Sequence, residues 1–221
     1  MTMSKKNKRK RYADVENLPN ILQFTDFENT HPPKGDWASS VFGNDNPVIL
    51  ELACGKGHYT LELARRNPDI NLIGVDIKGS RLWVGAKIAL AEPLHNVRFL
   101  RVQIEHLQTY FAPGEIHEIW ITFPDPHPKH ARRRRRLTSP RFLDIYRAIT
   151  ASDCKVHLKT DSDLLYHYTL ETLREQSLSP IRQIDDVHAT HPDDPLLSIL
   201  TDFELRHLQD GRTIHYVCFS V

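Results

Sequence analysis

The sequence predicts an α/β fold, a mostly parallel sheet with helices on both faces and an antiparallel finish. Three observations carry that reading. From residue 47 onward, short apolar runs alternate with helix-length stretches; glycines follow the first of these runs, and an acid closes the second. In order, residues 48–53 read as a strand and 59–66 as a helix stopped by Asn67-Pro68. Residues 72–76 form a second strand, and 80–92 a helix with Leu82, Trp83, Ala86, Ala89 and Leu90 as its apolar face. Strands at 97–102 and 116–123 follow, then a helix at 140–149, a fifth strand at 155–159 and a long helix at 162–176. The tail changes character: a strand near 181–187, a loop holding Pro192 and Pro195, a helix from Thr201, and an alternating strand at 213–220 close behind Asp210-Gly211, which reads as a hairpin-like finish. Residues 21–46 read as loop and short helix, and 1–20 as a basic flexible extension, leaving 21–221 as one domain.

Composition narrows the class. With 40% hydrophobic and 26% charged residues the chain is ordinary for a soluble globular protein. Its net charge of +1 conceals an asymmetry. Residues 5–11 and 129–136 each hold six Lys or Arg and no acid, so the remaining 17 basic residues face 28 acidic ones. An acidic body with two basic patches implies a localised polyanion site. The basic N-terminus has no apolar segment behind it, and no stretch reaches membrane-spanning length, so no membrane association and a cytoplasmic location are expected. Cys54, Cys154 and Cys218 are widely spaced, which fits buried thiols in a reducing compartment. His127/His130 and His188/His191 have H-x-x-H spacing but sit in Pro-broken loops without cysteines, so no metal is expected.

The first strand runs into Glu51-Leu52-Ala53-Cys54-Gly55-Lys56-Gly57. Gly55 and Gly57 allow close backbone approach, but the third glycine of a dinucleotide fingerprint is missing. Glu51 would repel phosphate and accept the ammonium or sulfonium of S-adenosylmethionine. Asp76, 19 residues after Gly57, stands where a second-strand acid can accept both ribose hydroxyls. The fourth strand runs into Phe123-Pro124-Asp125-Pro126-His127-Pro128-Lys129, and Arg132, Arg133, Arg134, Arg135 and Arg136 come directly after. The prolines forbid further pairing, so Asp125 belongs on a stiff loop beyond a strand's carboxyl end, beside a concentrated positive charge. Such a pair is suited to reading a base while phosphates are held.

These motifs together resemble the bacterial-type tRNA (guanine-N7)-methyltransferase family: Glu51-x-x-Cys-Gly-Lys-Gly, Gly74-Val75-Asp76-Ile77-Lys78, the proline loop with its basic tail, Lys159-Thr160-Asp161 and Thr201-x-Phe203-Glu204. The resemblance covers roughly residues 45–221. It implies a Rossmann-like class I methyltransferase, a mostly parallel seven-stranded sheet with an antiparallel C-terminal strand. It also implies S-adenosylmethionine as cofactor, tRNA as partner, a variable-loop guanine as acceptor, and a monomer or homodimer. Carried over by position, Asp125 is the catalytic residue. Glu51, Gly55, Gly57, Asp76, Gln103 and Asp125 hold the cofactor, Lys129, Asp161, Thr201, Asp202, Phe203 and Glu204 the substrate, and Arg132–Arg136 the phosphates. The chain departs from the family pattern at Ala53, at His127, at Arg132 and at Gln103-Ile104.

Guanine N7 carries a lone pair and no proton, so attack on a methyl needs no general base there; positioning and charge stabilisation should dominate. Thr201–Glu204 also fits a helix capping box, and Thr160 or Asp161 could cap the helix that follows. Two other classes fit parts of the pattern: a methyltransferase for another RNA base, against which His127 stands where an aromatic would stack, and a non-catalytic RNA-binding module on the same fold.

Overall fold

The computed structural model describes residues 11–28 and 30–221, so the basic run at 5–10 lies outside the described residues. The chain divides into two compact units, one ending at Ala112 and one beginning at Pro113. In the first, the strands β1 (Ile21–Gln23), β2 (Val48–Leu52), β3 (Asn71–Val75) and β4 (Val97–Arg101) run in the spatial order β1-β4-β3-β2, all parallel. Every residue of β2 and β3 is buried, the mark of strands covered on both faces, and this makes their continuous apolar runs legible in sequence. A helix, α1, covers residues 11–15, with Val15 buried. α2 (His58–Arg66) and α3 (Gly79–Ala91) are the crossovers; α3 buries Leu82, Ala86 and Ala89, while Leu90 turns outward.

β1 falls inside the segment read as loop. Three residues are too few to show a period. The strand exists because β4 offers an edge, with Ile21 opposite Phe99 and the Phe99 amide donating to the Asn20 carbonyl (2.8 Å). It makes eight strands among the described residues where seven were expected.

The second unit holds β5 (Ile116–Thr122), β6 (Thr150–Thr160), β7 (Pro180–Ile184) and β8 (His215–Ser220), ordered β5-β6-β8-β7. β5 and β6 are parallel; β8 lies antiparallel between β6 and β7. The antiparallel ending is as expected, but the hairpin-like connection expected at Asp210-Gly211 does not form. Asp210-Gly211 leads out of a helix, α8 (Asp202–Gln209), and the chain from β7 to β8 passes through α7 (Val187–Thr190) and α8 before β8 inserts beside β6. α4 (Leu107–Tyr110) closes the first unit; α5 (Pro140–Arg147) and α6 (Asp163–Glu175) belong to the second.

At the centre of the second unit, His157 stacks on Trp120 (centroids 4.1 Å, 6° apart) and pairs through Nδ1 with the Tyr216 hydroxyl at 2.7 Å. Glu118 Oε1 is 3.4 Å from His157 Nε2, but that carboxylate accepts the Trp120 indole N–H. Burial decides the charge: it pushes His157 down to about 3, helped by Lys155, and raises Glu118. A base whose folded pKa lies below its unfolded value penalises protonation of the folded state. The contribution of His157 is therefore full above about pH 6.5 and falls as pH drops toward 3, by about 1.4 kcal/mol per unit. Glu118, raised, acts in the opposite sense over its own range. His157→Gln should flatten the pH dependence of the urea midpoint between pH 6.5 and 4.5 relative to wild type. Parallel curves for the two proteins would remove His157 as the cause.

Candidate active site

In the first unit the cofactor candidates gather at the carboxyl ends of β2, β3 and β4. The turn after β2 takes left-handed backbone at Ala53 (φ 57°), Gly55 (59°) and Gly57 (71°). Ala53 pays a cost that a glycine there would avoid, about 1–2 kcal/mol. Gly57 is required by packing: a Cβ there would stand 2.5 Å from the Phe99 ring. Gly55 differs, because its Cβ would meet only the Ala53 carbonyl, at 4.0 Å, and otherwise open space.

Glu51 is 1% exposed, and its carboxylate accepts from the Thr60 amide (2.8 Å) and from the Thr60 hydroxyl. α2 begins at a glycine that has no side chain to cap it, so Glu51 supplies the anion at the helix N-terminus. Sequence reasoning missed this service. Asp76 ties the turn together: Oδ2 accepts from the Gly55 amide (3.1 Å) and Oδ1 from the Lys78 amide (2.8 Å), with the residue 7% exposed. Gln103 is exposed just beyond β4. An anchored acid, an open glycine turn and an exposed amide fit the ribose and adenine of S-adenosylmethionine. The neighbouring Cys54 is buried, and burial, reinforced by Glu51 and Asp76, holds its thiol well above the ordinary range. All three cysteines are free and buried, as expected.

In the second unit Asp125 sits three residues past β5, as the proline pattern predicts. Its side chain is exposed, and Oδ1 accepts from the His127 amide (2.9 Å). Phe123 (φ 48°) and His127 (φ 42°) are left-handed without being glycine. Arg132–Arg135 are exposed on a 3-10 helix, His130–Arg135, and Lys129 is exposed before it. Arg136 is buried and stands apart from the run.

Asp161 Oδ2 lies 2.6 Å from His207 Nδ1 and 2.7 Å from an Arg212 Nη1. Neither partner came from motif reading, although His207 stands one turn after Phe203 on α8, a spacing that places both on one face. Phe203 is 45% exposed, its ring 4.3 Å from His207 and 6.0 Å from Phe123. The caps are partly as expected. Thr201 Oγ1 accepts from the Glu204 amide (3.1 Å), but the Glu204 carboxylate does not reach back. It is fully buried against Lys159 Nζ (2.7 Å) and His188 Nε2 (2.9 Å). Ser162, not Thr160 or Asp161, caps α6, accepting from the Leu165 amide at 3.2 Å; Thr160 instead accepts from the Ser162 amide.

Parallel strands, a glycine turn after β2 and an acid at the end of β3 define the class of S-adenosylmethionine-dependent methyltransferases. Solved structures of that fold agree. An antibiotic-related methyltransferase aligns over 84% of this chain and 94% of its own (TM-score 0.61, 16% identity), and the 16S rRNA methyltransferase KamB over 80% and 88% (TM-score 0.59, 14% identity). A family model described as a putative methyltransferase matches residues 45–217. The tRNA (guanine-N(7)-)-methyltransferase of Christiangramia forsetii is 43% identical over 99% of this chain and 100% of its own length. That of Porphyromonas gingivalis is 42% identical over 94% and 86%. This chain belongs to the tRNA (guanine-N7)-methyltransferase family.

Proposed function

We propose that this chain transfers the methyl group of S-adenosylmethionine to N7 of a guanine in the tRNA variable loop, in the cytoplasm. The observation that carries the reading is the Asp125 loop: an exposed carboxylate fixed by its own turn, followed by four exposed arginines. When bound, the cofactor supplies a sulfonium methyl, already activated for in-line attack. Asp76 and the Gly55 turn hold its ribose, Gln103 its adenine. Since N7 bears no proton, the residues need remove none. Asp125 accepts hydrogen bonds from guanine and offsets the positive charge that grows on the base as N7 is alkylated. Arg132–Arg135 and Lys129 contact phosphates, giving affinity without sequence information. No helix among the described residues is long and apolar enough to cross a membrane.

Phe203, half exposed above His207, is the base-stacking surface, with Asp161 fixed nearby by its contacts with His207 and Arg212. Stacking on an aromatic is worth about 1–3 kcal/mol per base, so Phe203→Ala should raise the KM for tRNA about tenfold and Phe203→Trp should not. Equal KM values for all three proteins would reject the stacking role. The reaction itself is tested by methyl transfer from labelled S-adenosylmethionine to unmodified tRNA, then chain cleavage selective for N7-methylguanosine. A single cleavage in the variable loop supports the proposal; incorporation without cleavage moves the reaction to another atom.

A further inference from the structure

Five consecutive arginines look interchangeable in sequence, and the fifth is not. Arg136 is 6% exposed. It follows the 3-10 turn in extended backbone (φ −65°, ψ 133°), which carries its side chain away from the exposed face used by Arg132–Arg135. Its Nε donates to the Pro126 carbonyl at 3.0 Å and an Nη2 to the His127 carbonyl at 3.1 Å, while the guanidinium lies 4.3 Å above the Tyr168 ring on α6. Among the described residues no carboxylate pairs with it.

A buried cation without a counter-ion needs strong compensation. Two charge-assisted bonds to carbonyls and an aromatic face supply it. The carbonyls it holds are those of the turn carrying Asp125. That turn includes His127 in left-handed backbone, which costs about 1–3 kcal/mol and persists only when its surroundings fix it. His127 in turn donates its amide to Asp125 Oδ1. The chain of contacts runs Tyr168, Arg136, the 126–127 carbonyls, the His127 amide, Asp125.

We propose that Arg136 is a positioning residue that holds the Asp125 turn in its active shape, and that it does not bind RNA phosphate. The catalytic consequence rests on the methyltransferase reading above; the clamp itself does not. Lysine keeps the charge but, as a compact ammonium, cannot reproduce the planar fork onto two carbonyls. Arg136→Lys should therefore lower kcat by about tenfold or more, through misplacement of Asp125. The KM for tRNA should stay within twofold, and Arg136→Met, which removes the charge, should leave the slope of log K against log salt unchanged. Arg134→Ala, removing an exposed phosphate contact, should raise KM and reduce that slope by about one.

Hydrogen exchange in the free protein gives a readout independent of turnover: the His127 amide should lose protection in Arg136→Lys while amides of β5 keep theirs. If wild type transfers no methyl to tRNA, the functional reading falls and the His127 amide still decides the clamp. A retained His127 amide with unchanged kcat in Arg136→Lys would overturn the proposal, and a salt slope reduced by about one in Arg136→Met would return Arg136 to the phosphate-binding run. Arg136→Met, which removes every donor, should expose the same amide more fully. Should it fail to fold, Arg136→Lys carries the test alone.

Discussion

Replacing Lys159 with methionine is expected to lower the free energy of unfolding by about 3–5 kcal/mol, the usual cost of breaking a buried ion pair from one side. Lys159 and Glu204 are both fully buried, with Nζ 2.7 Å from a carboxylate oxygen. The same ammonium donates to the Leu197 carbonyl (2.8 Å) and the Ile199 carbonyl (3.2 Å). Burial pulls the amine below its ordinary pKa, and Glu204 opposes that shift. Removing the amine leaves a carboxylate in the core and two carbonyls without their donor. The double variant Lys159→Met, Glu204→Leu should recover much of the loss, because it removes both charges together. Urea midpoints with unchanged m-values measure this. A single variant within 1 kcal/mol of wild type would show that the pair holds nothing.

The consequence reaches the substrate side. Lys159 sits at the end of β6, and its bonds fasten residues 197–204 to that strand. Thr201 caps α8 and Phe203 stands outward from its first turn. By position, family resemblance assigns Thr201–Glu204 to the substrate. The geometry divides the four: Thr201 and Glu204 face inward, Asp202 and Phe203 face solvent. In the double variant, restored stability with a raised KM for tRNA is therefore the expected pairing, since the segment presenting Phe203 loses its anchor.

What sequence could reveal follows from where each signal originates. β2, β3 and the interior of β5 are buried on both faces, so Leu50, Ile73 and Ile119 write their burial directly into apolar runs. The proline loop is equally legible, because proline states its own backbone limits. β1 is not, since its pairing partner is 78 residues away and three residues carry no pattern. The extension of β6 back to Thr150 crosses exposed Ser152 and Asp153, which break the apolar signal. The site divides in the same way. Asp76 and Asp125 stand at strand ends that motif spacing can locate. The capping of α2 by Glu51, the inward turn of Arg136 and the holding of Asp161 by His207 depend on tertiary partners that no spacing encodes.

Asp125→Asn is expected to reduce kcat about a hundredfold, with tRNA and cofactor binding little changed, the scale on which loss of one preorganised electrostatic contact slows a reaction. Asparagine preserves size, and its amide oxygen can still accept from the His127 amide, as Oδ1 does at 2.9 Å. The turn should therefore survive, and the charge alone is lost. Asp125→Ala removes the acceptor too, so it should also expose the His127 amide to exchange. The comparison separates two roles of one side chain, since a carboxylate that merely shaped the turn would leave Asp125→Asn fully active and Asp125→Ala impaired. A carboxylate that stabilises the charge arising on guanine as N7 is methylated leaves both variants slow, and only the alanine with a loosened loop. Because no proton leaves N7, the kcat of Asp125→Asn should stay low at every pH where the protein is folded, with no recovery at high pH.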